Sequence, residues 1–143
     1  MALVFRSLSI FFAAGVAGGL ANAAFVWGSG AFGLSALMGV AIAPAWTPPW
    51  LYQRLVWGGI WGLAFVLPFF SRSVLARGLF MSLGPTAVQL LVVFPRVLDK
   101  GMFGLDLGAW TPAFVFLANA VWGVVAAWWV WMGTDARPSR GRL

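Results

Sequence analysis

The chain contains no cysteine, no histidine and no glutamate. Without cysteine there is no disulfide framework, no thiol nucleophile and no iron–sulfur ligation. Without histidine and glutamate, most general bases and most metal ligands are gone as well. Carriage of haem or chlorophyll, which usually relies on an axial histidine, is disfavoured by the same absence. The only acids are Asp99, Asp106 and Asp135, and all three fall outside the long apolar runs. A proton relay across a membrane needs an acid within a span. Residues of this kind point away from an enzyme and give no catalytic, cofactor-binding or metal site.

Charge of either sign is scarce. Only 8% of the 143 residues are charged and 62% are hydrophobic, whereas a soluble domain carries roughly a quarter charged residues. A chain so composed has lipid as its natural solvent. The expected fold is an all-α integral membrane protein, one domain over residues 1–143. The net charge of +6 does not indicate a nucleic-acid partner. Its arginines stand singly between apolar runs or in the tail (Arg137, Arg140, Arg142), and no basic helix face forms.

The apolar runs predict four spans, at about 7–27, 52–70, 78–95 and 112–132. The first has features of a secretory signal, with Arg6 before it and Ala21-Asn22-Ala23 near its end. Its length of roughly 20 residues suits a retained transmembrane helix. Residues 31–45 are apolar but too short to cross, and Pro44, Pro48 and Pro49 bound them. The expectation is a four-helix transmembrane bundle with a short re-entrant or interfacial segment after helix 1. Trp46 and Trp50 flank the Pro-Pro pair as an aromatic belt does. Pro112 suits a first helical turn with Thr111 as N-cap. Residues 135–143 form a polar tail.

Orientation follows from counting arginine and lysine. Four spans put Arg6, Arg72, Arg77, Arg137, Arg140 and Arg142 on one side, against Arg54, Arg96 and Lys100 on the other. Six against three is the bias of a protein with both termini in the cytoplasm. A five-span arrangement reverses it. Asp99 and Asp106, beside Arg96 and Lys100, read as solvated loop ion pairs.

Helices in lipid associate through small residues and buried hydrogen bonds. Each expected span carries such a stripe at helical spacing. The first has Gly15, Gly18, Gly19 and Asn22; the second has Arg54, Gly58 and Gly62. Gly78, Ser82, Thr86 and Gln89 mark the third, and Asn119, Gly123 and Ala127 the fourth. Gly15, Gly19, Gly58, Gly62 and Gly123 are the candidate packing positions, either within the bundle or in a dimer. Many tryptophans fall elsewhere. Trp122, Trp128, Trp129 and Trp131 crowd the cytoplasmic half of the last span, and Trp57 and Trp61 lie on the second. They suit interfacial anchoring or a protein partner.

Asn22, Arg54, Gln89 and Asn119 converge in depth on the outer half of the bundle. They have two readings. One is hydrogen-bond glue between helices, with Arg54 snorkelling outward. The other is a pocket for an anionic or polar headgroup, with Arg54 as charge partner and the proline-bounded segment as lid.

The stretch GPTAVQLLVVFPRVLDKGMFGLDLG, followed by TPAFVFLANAVWGVVAAWW, resembles small bacterial inner-membrane proteins of the YagU type. The shared pattern is a Gln-containing helix ending in Phe-Pro, a Gly-rich loop and a Pro-started helix with Asn-x-x-Trp-Gly. It covers about the last third of the chain. The resemblance implies an inner-membrane bundle and no particular mechanism.

The leading functional expectation is a structural or accessory subunit of a larger membrane complex, of respiratory or photosynthetic type. The alternative is a small oligomeric transporter, channel or lipid-binding protein. No cofactor is expected beyond non-covalent contact with lipid, quinone or carotenoid. The expected partners are membrane lipids and other membrane subunits or a second copy.

Overall fold

A computed structural model describes residues 1–134. The polar tail 135–143, with Asp135, Arg137, Arg140 and Arg142, lies outside the described residues. The regular secondary structure among these residues is all helical. Helix α1 spans Ala2–Ala31, α2 is one turn at Leu34–Leu37, and α3 spans Pro48–Gly62, continued by a 3-10 turn at Leu63–Val66. Helix α4 spans Val74–Val88 and widens into a π-helix over Gln89–Val97. A 3-10 segment at Met102–Leu107 leads to α5, Thr111–Thr134.

Three helices are long and apolar enough to cross a membrane: Ala2–Ala31, Val74–Val97 and Thr111–Thr134. The α3 element is shorter. Its 15 α-helical residues and four 3-10 residues together reach about 30 Å. The expected span 52–70 is shifted as a result. Pro48 and Pro49 open the helix from its first turn, where their missing N–H groups cost nothing, and the chain leaves helical geometry at Leu67.

α1 is central. It packs against α3 on one side and α5 on the other, and α4 packs on the far side of α5. Neighbours run antiparallel. Gly19 meets Arg54 while Gly15 meets Gly62, and Asn22 reaches Ala118 while Ile10 touches Gly133. The start of α1 and the end of α5 therefore lie at one end of the bundle. Trp61 of α3 leans over Gly84 of α4 and closes the remaining side.

Glycine permits the closest approaches. A Cβ on Gly58 would sit 2.6 Å from the Gly15 carbonyl oxygen, and one on Gly19 2.5 Å from that of Arg54. On the other side of the bundle, a Cβ on Gly78 would lie 2.7 Å from the Gly123 carbonyl. These are backbone-to-backbone contacts, so no side-chain adjustment relieves them. The glycine pairs thus face one another within one chain. Trp122 departs from its expected place off these faces. It is buried over Gly18, and its Nε1 donates to the Gly15 carbonyl at 3.1 Å.

Residues 31–45, expected as a short re-entrant or interfacial segment, form one helical turn and a non-helical return. After the α2 turn, Gly39 takes a positive φ of 68° and the chain runs back along the end of α1 without helical structure. Ala41 N donates to the Leu107 carbonyl at 2.8 Å, and Ala43 packs on Gly30. Val40 is buried with Val26, Phe114 and Ala118, and Ile42 packs on two apolar clusters. The segment is therefore an apolar plug between the helix ends.

Two further corrections are local. Thr111 does not cap α5. The Trp110 carbonyl accepts from Phe114 N, and the Thr111 hydroxyl is buried with no partner among the described residues. The α-helical expectation for the third span fails after Val88. An α-helical Pro95 would drive its ring into the carbonyl four residues back and forfeit a bond. The wider π turn, with Leu98 N reaching the Val93 carbonyl, avoids that clash while keeping Leu90 and Phe94 buried.

Candidate functional site

The polar groups of the interior form one connected layer. Arg54 Nη1 donates to Asn22 Oδ1 at 2.6 Å. Asn22 Nδ2 donates to the Ala118 carbonyl at 2.8 Å and, more weakly, to Asn119 Oδ1 at 3.4 Å. Asn119 Nδ2 in turn donates to Thr86 Oγ1 at 3.1 Å and to Gln89 Oε1 at 3.4 Å. Thr86 Oγ1 donates its own hydrogen bond to the Ser82 carbonyl at 2.7 Å. All four long helical elements contribute, and the four residues singled out from the sequence meet in this layer. Thr86 belongs to it as well. From the sequence Thr86 is only a small residue in a packing stripe, because spacing places a hydroxyl on a face without revealing its partner.

Each link has a local cause. Asn22 lies three residues beyond Gly19, on the α1 face that glycine brings against α3 and α5. Its carbonyl oxygen can thus meet Arg54 while its amide reaches α5. Asn119 and Gly123 are one turn apart on α5, and the Gly123–Gly78 approach brings Thr86 within reach. Asn22 and Asn119 are both buried. The amide orientations are assigned by this network of donors and acceptors.

Arg54 departs from its expected place. It sits well inside α3 rather than at its tip, and its guanidinium turns inward instead of snorkelling out. The Trp50 ring lies 4.4 Å from its Cζ. That indole continues a row: Trp27 and Trp46 are 5.8 Å apart between centroids, and Trp46 and Trp50 are 5.7 Å apart. A different arginine does a simpler task at the opposite end. Arg77 Nη2 donates to the Phe65 carbonyl at 2.7 Å, holding the 3-10 end of α3 against α4.

Apolar clusters bound the layer above and below. Toward the terminal end lie Phe11, Ala14, Phe65, Met81, Trp122, Ala126, Ala127 and Val130. Toward the loop end, the plug residues Val40 and Ile42 join Val26, Phe114, Leu90, Phe94 and Val115. Two surface hollows occur elsewhere. One, of about 330 Å³, lies at Pro68–Ser73, and one of about 240 Å³ lies beside Leu3 and Phe11. Neither is lined by the polar layer. Among the described residues no group of acids or other ligands is arranged to hold a metal ion. Comparison with protein families, curated proteins and solved structures finds no match.

Proposed function

We propose that this chain is a non-enzymatic accessory subunit of a larger assembly in the bacterial inner membrane. It crosses the membrane four times, with α3 and its 3-10 extension as the shortest crossing and both termini cytoplasmic. The observation that carries the reading is the enclosure of the polar layer between two apolar clusters. A transporter needs a polar path through both leaflets, whereas these groups have apolar side chains above and below them. The outer surface offers large side chains to a partner: Trp128, Trp129 and Trp131 of α5 are each about half exposed. Tryptophan is the residue type that most often dominates protein interfaces.

Native mass spectrometry of the protein extracted from its own membrane in mild detergent tests this. The expected result is a defined larger complex containing other subunits. A chain found only as a monomer or homo-oligomer, with solute flux after reconstitution, would replace the reading with transport. Topology is tested in parallel by cysteines introduced at Leu37 and Ser71, both exposed. A membrane-impermeant reagent added outside is expected to label position 37 and spare position 71.

A further inference from the structure

Arg54 is only partly satisfied by the protein. Nη1 has Asn22, and the Trp50 ring covers a face. The other hydrogen-bonding edge, formed by Nε and Nη2, has no acceptor among the described residues, and Nε is enclosed. Among the described residues no acid compensates the charge either. The described acids are Asp99 and Asp106, both exposed in the connection before α5, and Arg54 pairs with neither. The amides of Asn22, Asn119 and Gln89 are dipoles, and the Asn22 oxygen is already engaged. A guanidinium in an apolar setting calls for a counter-charge.

We propose that Arg54 binds the phosphate diester of a membrane phospholipid. Nε is enclosed, so the atom offered is Nη2, whose unpaired N–H groups can donate to a non-bridging phosphate oxygen. The location fits a headgroup. Arg54 lies beside the indole row Trp27, Trp46 and Trp50 and next to exposed Tyr52, the residue types that gather at headgroup depth. α3 is the outermost helix of its side, packed on α1. Its outward face, with Val56, Trp57 and Ile60 exposed, gives acyl chains a surface beside the inward stripe of Arg54, Gly58 and Gly62. A free anion would gain nothing from that surface. The counter-charge is thus a lipid of the surrounding membrane, independent of any partner subunit.

The delipidated full-length protein in maltoside detergent is titrated with phosphatidylglycerol, with diacylglycerol and with inorganic phosphate, and bound lipid is counted by native mass spectrometry. The expected result is one tightly held phosphatidylglycerol that diacylglycerol does not replace and millimolar phosphate does not displace. Arg54→Gln should weaken that binding at least tenfold, and Arg96→Gln, at an exposed position, should leave it within twofold. Equal binding by Arg54→Gln, equal binding of diacylglycerol, or displacement by inorganic phosphate would each overturn the proposal. A second measurement keeps Arg54 intact and so does not depend on the folding of the variant. A benzophenone amino acid placed at exposed Gln53 is photolysed in native membranes. A lipid adduct is expected. A protein adduct in its place would make a partner's carboxylate the counter-charge and refute the lipid site. Loss of the lipid with the native complex intact would leave the accessory-subunit reading standing.

Discussion

The glycine seams and the polar layer hold the same helices by opposite means. In the seams, Gly15 and Gly19 meet Gly58 and Gly62, and Gly78 meets Gly123, with no side chain between the backbones. In the layer, side chains span the gap: Arg54 reaches Asn22, and Asn119 reaches Thr86 and Gln89. The seams depend on the absence of atoms, the layer on the presence of particular ones. The seams therefore tolerate no enlargement, whereas the layer tolerates loss in steps. The two are also coupled, because the glycine approach sets the distance that an asparagine can bridge.

Substitutions separate these modes. Gly58→Leu is expected to have the largest effect, about 3 kcal/mol or more, since overpacking against backbone cannot be relieved by rotamers; a detergent thermal-stability assay reads it as loss of the folded state. Asn22→Leu comes next. It removes the acceptor of Arg54 Nη1 and a donor to α5, and hydrogen bonds to charged groups are worth about 1.5–3 kcal/mol. Asn119→Leu loses three neutral links, and since bonds between membrane helices average about 0.6 kcal/mol each, the expected cost is about 2 kcal/mol. Trp122→Phe keeps most of the packing and deletes only the bond to the Gly15 carbonyl, for about 0.6 kcal/mol. Gly133→Ala is the smallest, within about 0.5 kcal/mol, because its new Cβ would press only on the Ile10 side chain. If Asn22→Leu proved as disruptive as Gly58→Leu, the distinction between seam and layer would collapse.

Much of this was legible in the sequence for a physical reason. Small residues repeat at helical spacing only where backbones must approach, so Gly15, Gly19, Gly58, Gly62 and Gly123 mark faces before any partner is known. Depth is equally readable, because 1.5 Å per residue puts Asn22, Gln89 and Asn119 at one level. Rotation and local backbone form are less accessible. Trp122 carries too large a side chain to be read as part of a glycine face, yet Gly18 makes room for it. Apolarity alone starts the second span at Tyr52 and makes Arg54 an end residue, whereas the Pro-Pro pair is the first turn of α3. The π-helix at Gln89–Val97 left no periodic signature, since nine residues of π geometry give too few turns to distinguish it from an α-helix. The fold-back of residues 40–47 depends on Leu107 and Gly108, far along the chain.

The central claim is that the polar layer is sealed between apolar clusters. The natural chain has no cysteine, so single cysteines at Asn22, at Asn119 and at exposed Leu37 give an unambiguous reading of water access. A small membrane-impermeant thiol reagent is applied from each side in turn to folded, reconstituted protein. The account predicts rapid labelling at position 37 from one side, and labelling at 22 and 119 that is at least a hundredfold slower from either. Labelling of position 22 or 119 from both sides at rates near that of position 37 would reveal a continuous aqueous path and contradict it.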